Sequence, residues 1–205
     1  ADNANPIVER VDFDFAHSGY ALCIVDSGAD HADLTDEYAA VTRELKEVCA
    51  HFGRSVLREV PEADFYAELP TLRRKAGDRA VLRAIHIYED NRRVEAQVKA
   101  LRAGDFDAFL QQVTASGLSS WRLLQNVVPA GYTHHQEVAV ALTVCEKLLN
   151  GRGACRVHGG GFAGTIQAFV PLDMLERFQT EMERLLGDGS CHVLSIRPVG
   201  GVRLV

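Results

Sequence analysis

The residues best suited to chemistry in this chain are glycines. Arg156-Val157-His158-Gly159-Gly160-Gly161-Phe162-Ala163-Gly164-Thr165 places four glycines in six positions, between apolar segments at 153–157 and 165–170. Glycine weakens helix and strand alike, so the run reads as a loop. A loop bare of side chains lets consecutive N–H groups point at phosphate oxygens and hold negative charge. Gly159, Gly160, Gly161, Phe162 and Gly164 are the candidate phosphate-loop residues. The stretch has no Lys-Ser/Thr ending and does not match Gly-x-Gly-x-x-Gly spacing. The same composition equally suits a tight strand connection that binds nothing.

Other reactive residue types carry less. His134-His135 has no cysteine or carboxylate at ligand spacing, so no metal site is expected. The five cysteines are far apart and sit mostly in apolar segments, without a Cys-x-x-Cys pair. They read as buried free thiols of a cytoplasmic protein. His86 lies one helical turn from Leu82 on an apolar stripe and reads as a core histidine. Ser116, Ser119 and Ser120 read as helix-interior or cap residues, with no acid–base partner near them in sequence. A net charge of −6 with scattered basic residues disfavours nucleic acid and anionic membranes as partners. No apolar run reaches transmembrane length.

These residues need a scaffold, and the hydrophobic pattern supplies one. Val8–Phe15 alternates apolar and charged residues as an edge strand would, and Tyr20–Val25 is a continuous apolar run that suits a buried strand. Helices are expected from Thr35 to about Phe52, from Asp78 to Gly104, from the cap Asp105 to about Leu124, and over Tyr132–Leu149. Short helix or loop is expected over 60–72, around Pro61 and Pro70. Strands come next at Ala154–Val157 and Thr165–Val170, then a helix from Pro171 or Asp173 to Leu186, then strands at Cys191–Arg197 and Gly201–Val205. This order predicts an α+β fold, an antiparallel sheet with helices on one face.

In this context Gly-Gly-Gly-Phe-x-Gly resembles the third signature motif of the GHMP small-molecule kinases, and three more segments match the galactokinase branch in order. Asp26-Ser27-Gly28-Ala29-Asp30-His31 with Asp36-Glu37-Tyr38 resembles its "NS-x-x-x-H…SEY" segment. Arg83 to Arg93 is similar to "R-x-x-H-x-x-x-E-x-x-R", and Leu101–Phe106 with Ser116 to "AL-x-x-GD…SH-x-SL". The resemblance runs from about Tyr20 to the C-terminus. It implies a ferredoxin-like GHMP kinase C-terminal domain with added helices over 19–205, preceded by a lead-in and edge strand over 1–18. It implies a sugar-contacting role for Tyr38 and a local structural role for His31. The family's Gly-Leu-Ser-Ser-Ser-Ala phosphate loop and its catalytic Asp and Arg have no counterpart here. The chain is therefore expected to be the C-terminal half of a galactokinase-like enzyme, with no catalytic residue of its own. Its partners would be an absent N-terminal kinase domain and a small-molecule sugar. ATP and Mg2+ would be used by the full-length parent and not held by this half alone. Departures at Val41, Thr42, Gly117, His158 and Ala163 keep a second expectation open, a non-catalytic ligand sensor or interaction module.

Overall fold

A computed structural model describes residues 7–196 apart from 31 and 33. Its centre is an antiparallel sheet. Strands β1 (Tyr20–Ala29), β2 (Ala154–Val157), β3 (Gly164–Pro171) and β4 (Cys191–Leu194) lie in the order β2-β3-β1-β4. Tyr20 pairs with Pro171, Cys23 with Ala168 and Asp26 with Thr165; β1 bulges between Asp26 and Ala29.

Period-2 alternation gives the sheet two different faces. Cys23, Val25, Val157, Ile166, Ala168 and Val170 face one way. They pack on Val138, Leu142, Cys145 and Leu149 of helix α6 (Glu137–Leu149) and on Phe178 and Met182 of α7 (Leu175–Leu186). This is the antiparallel sheet-and-helix layer expected from sequence, except that helices cover both faces and not one. The added helices are α1 (Thr35–His51), the short α2 (Glu62–Ala67) and α3 (Leu69–Lys75), the long α4 (Asp78–Arg102) and α5 (Phe106–Ser119). The first four build a second core around Val48, Phe65, Leu72, Val81 and Ala84. Phe106 and Phe109 of α5 meet Phe169 and Leu22 on the sheet's other face.

Val8–Phe15 is not a strand. The segment has no regular structure before a single 3-10 turn at Phe15–His17, and Val8 is exposed. Its alternation has a different cause. Phe13 stacks on Phe106 at 5.6 Å, and Phe15 meets Phe109 edge-on at 6.1 Å, so the apolar residues serve an aromatic cluster.

Helix starts shift slightly. Asp105 caps α5 as expected, its Oδ1 accepting from the Ala108 N–H at 2.9 Å. Thr35 and Asp78 instead open their helices as first residues, and Asp78 pairs with Arg73 at 2.6 Å. The segment read as helical from Tyr132 stays irregular until Glu137, after turns around Pro129 and Gly131. Pro171 ends β3 and is succeeded by one 3-10 turn, so α7 begins at Leu175. The C-terminal strand read at Gly201–Val205, the end of the one read at Cys191–Arg197, and His31 lie outside the described residues.

All five cysteines are free and buried. Among the described residues, no helix is long and apolar enough to cross a membrane.

Candidate functional site

The glycine loop leaves β2 at Val157 and enters β3 at Gly164, so it is a connection between adjacent antiparallel strands. His158, Gly159 and Gly160 are exposed, whereas Gly161, Phe162 and Ala163 are buried. A hydrogen bond from the His158 N–H to the Thr165 carbonyl (3.0 Å) closes its base. Its far side makes a three-residue turn, in which the Ala163 N–H donates to the Gly161 carbonyl at 2.7 Å and Phe162 takes φ +62°. That φ is unfavourable for a bulky residue and persists only where the surroundings hold it. Here the Phe162 ring sits among Leu34, Ala163, Tyr38 and Val41.

Two residues from distant elements grip the loop. Tyr38, in the first turns of α1, donates its hydroxyl to the Gly161 carbonyl at 2.8 Å, and its ring meets Phe162 edge-on at 5.4 Å. Burial raises the Tyr38 phenol above its ordinary value, which keeps it a donor. Asn126, just beyond α5, donates from Nδ2 to the Gly160 carbonyl at 3.1 Å and accepts the Phe162 N–H on its own carbonyl. The approach is close enough to require glycine. A Cβ on Gly160 would stand 2.8 Å from the Tyr38 ring, and one on Gly161 2.1 Å from the Asn126 carbonyl oxygen, at a backbone φ of +81°.

The grip takes the Gly160 and Gly161 carbonyls and the Phe162 N–H. Among the described residues nothing accepts a hydrogen bond from the Gly159 or Gly160 N–H, and both residues are exposed. The loop therefore keeps two N–H groups without a protein acceptor while its Gly160 and Gly161 carbonyls are engaged. Gly164 belongs to β3, where its carbonyl accepts the Ser27 hydroxyl at 2.6 Å. Sequence reading singled out Tyr38 and the glycines separately, and the structure brings them into contact. It missed Asn126, for which an isolated Asn after a helix gives no signal.

A second polar cluster lies along α4. Arg83, His86, Asp90 and Arg93 fall at i, i+3, i+7 and i+10 and so share one helix face. Arg83 is fully buried, donating to Glu44 of α1 at 2.9 Å and to the Leu124 carbonyl at 3.0 Å. His86 Nδ1 lies 2.9 Å from the Ser119 hydroxyl. Ser116 donates to Asp90 at 2.7 Å and accepts from Arg156 of β2 at 2.8 Å. The serines thus have partners that their own sequence neighbourhood does not show. The charge spacing of the α4 segment was the available signal. Ser–His–Asp chemistry does not arise, because Ser119 is 1% exposed, His86 3%, and the imidazole stands 3.9 Å from Asp90. Desolvation pushes His86 below its usual value, with Asp90 opposing, so the ring is a neutral core group as its sequence position suggested.

Among the described residues no group of three or more His, Cys, Asp or Glu is arranged to hold a metal ion.

A four-stranded antiparallel sheet carrying α6 and α7, with a helical insertion and a gripped Gly-rich strand connection, is a fold shared with a solved sugar kinase. Galactose-complexed galactokinase from Lactococcus lactis superposes with a TM-score of 0.66 over 89% of this chain and 46% of that one, at 23% identity. No protein-family model matches. Curated relatives include galactokinases of Actinobacillus pleuropneumoniae serotype 3 and Thermotoga neapolitana, each 28% identical over 170 residues, 83% of this chain. The chain spans only 41% and 44% of their respective lengths. Over 170 residues the chain is thus similar to part of a galactokinase, in sequence and in fold.

Proposed function

We propose that this chain forms one wall of the active cleft of an ATP-dependent sugar kinase, with galactose or a related sugar as acceptor. The observation that carries the reading is the gripped loop: exposed Gly159 and Gly160 amides, backed by Tyr38 and Asn126. Phosphoryl transfer asks a protein mainly for positioning and charge stabilisation, and preformed N–H donors supply both. Their geometry is fixed before the ligand arrives, so little reorganisation is needed at the moment of transfer. Tyr38 completes the wall. Its ring and hydroxyl are the groups of this wall whose chemistry suits a sugar.

On this reading residues 19–205 are the C-terminal kinase domain, and the reaction needs an N-terminal ATP-binding domain that carries the catalytic acid and the Mg2+ site. Mg2+ neutralises phosphate charge in such reactions. The residues of this chain hold no proton in transit. They bind, orient and close.

Galactose-dependent ADP release tests the reading, measured for this chain alone and for the protein in which it is joined to an N-terminal kinase domain. Release is expected only from the joined form. Turnover by the chain alone would overturn the two-domain reading. A joined protein that binds galactose but releases no ADP would turn the case towards a ligand sensor, the reading that the substitutions at Gly117, His158 and Ala163 favour.

A further inference from the structure

Asn126 has no place in the motifs that mark this site, yet the loop's shape depends on it. The residue is 2% exposed. It makes two hydrogen bonds to the loop, Nδ2–H to the Gly160 carbonyl and its own carbonyl from the Phe162 N–H, one on each side of Gly161. Its main-chain oxygen fills the space where a side chain at Gly161 would be. These contacts hold the unfavourable φ of Phe162, next to the exposed Gly159 and Gly160, whose N–H groups have no protein acceptor among the described residues.

Asn126 is itself held from behind. After Ser119 the α5 helix widens into one π-turn, Ser120–Leu124, closed by Gln125 in the left-handed region at φ 57°. A π-turn adds a residue to the helical turn and redirects the chain beyond it. The Leu124 carbonyl at its end takes a hydrogen bond from the fully buried Arg83, which is paired with Glu44. The charged core of the helical insertion thus fixes the point from which Asn126 reaches the loop.

We propose that Asn126 is the positioning residue of the phosphate-binding loop, setting nucleotide affinity through the Gly160 carbonyl while taking no part in sugar recognition. The inference rests on the kinase reading above and adds a division of labour to it. Tyr38 holds the Gly161 carbonyl and is the residue that this reading gives to the sugar, whereas Asn126 holds the Gly160 carbonyl and is given to the loop alone.

The test compares N126A and N126D in the kinase-competent protein. N126D keeps the side-chain shape and loses the donor, so it gives the answer where N126A fails to fold. Expected is a rise of about tenfold in the KM for MgATP, the scale of one lost hydrogen bond, with the galactose KM within about twofold of wild type. In the 205-residue chain, amide exchange at Phe162 and Ala163 should accelerate while that of β1 is unchanged. An unchanged MgATP KM, or both KM values raised together, overturns the role of Asn126. Wild-type protein that neither binds MgATP nor phosphorylates any aldose overturns the kinase reading beneath it, and exchange at Phe162 then still reports whether Asn126 holds the loop.

Discussion

At the scale of single residues, the site is a set of contacts that tolerate no extra atom. Gly161 combines a left-handed backbone with a wall at 2.1 Å, and that wall is main chain, which cannot swing aside. Gly161→Ala is expected to cost about 2 kcal/mol or more, the combined scale of a left-handed non-glycine residue and overpacking. Denaturant titration checks it, and a loss under about 0.5 kcal/mol, the range of an ordinary surface substitution, would show that the loop relaxes freely. Gly160 differs, because its obstacle is the edge of the Tyr38 ring. Gly160→Ala should therefore be damaging alone and substantially relieved in combination with Tyr38→Ala, a non-additivity expected only for groups in contact. Tyr38→Phe removes the hydroxyl that holds the Gly161 carbonyl. It is expected to raise the KM for sugar and for MgATP alike, each by roughly tenfold for about 1 kcal/mol or slightly more. A rise in the sugar KM alone would mean that the hydroxyl serves the sugar and that the loop stands without it.

At the scale of elements, apolar periodicity carried far in the sequence and polar burial did not. Strands β1, β2 and β3 and helices α1, α4 and α5 lie close to where hydrophobic runs, glycine stops and the Asp105 cap place them. The failures share a cause, tertiary partners that a local pattern cannot contain. Phe13 and Phe15 alternate like a strand because Phe106 and Phe109 need them. On α4 the apolar Val94 is exposed, whereas the polar Arg83 and His86 are buried with Val81 and Ala84. Such burial makes stability depend on pH. His86 is held neutral in the fold by desolvation, so below its unfolded value of about 6.5 the unfolded chain binds a proton that the folded chain refuses. Stability from this group is complete above about pH 6.5 and is lost on acidification, with a slope of up to about 1.4 kcal/mol per pH unit. The loss continues down to the folded-state value. Unfolding free energies at pH 7.5 and 5.5, on either side of that value of about 6.5, should therefore converge in His86→Gln relative to wild type. An identical pH slope in the two proteins would show that folding leaves the proton affinity of His86 unchanged.

At the scale of the whole molecule, two apolar cores meet across a polar seam. One lies between the sheet and α6 and α7, the other between α1 and α4. The loop sits where they join, since Tyr38 comes from the helical insertion and Gly159–Gly164 from the sheet. The seam is therefore part of the site's rigidity. Its clearest link runs from Arg156 on β2 through the Ser116 hydroxyl on α5 to Asp90 on α4. Gly117 lets α5 approach that closely, for a Cβ there would stand 2.9 Å from the Cys155 carbonyl. A residue other than the resemblance's His at this position thus has a packing reason. Arg156→Met keeps the apolar stem and removes the donor, leaving Asp90 still paired with Arg93. It should cost about 1–3 kcal/mol, the range for hydrogen bonds to charged or buried groups. Ser116→Ala should cost a similar amount, because Ser116 is 1% exposed and bonds in both directions. If the bridge joins the lobes as one unit, the double variant should lose less than the sum, with a coupling of roughly 0.5–3 kcal/mol, as for residues in one network. Additive losses within about 0.3 kcal/mol, the behaviour of independent sites, would mean that apolar packing of α5 on β2 and β3 holds the lobes together without the bridge.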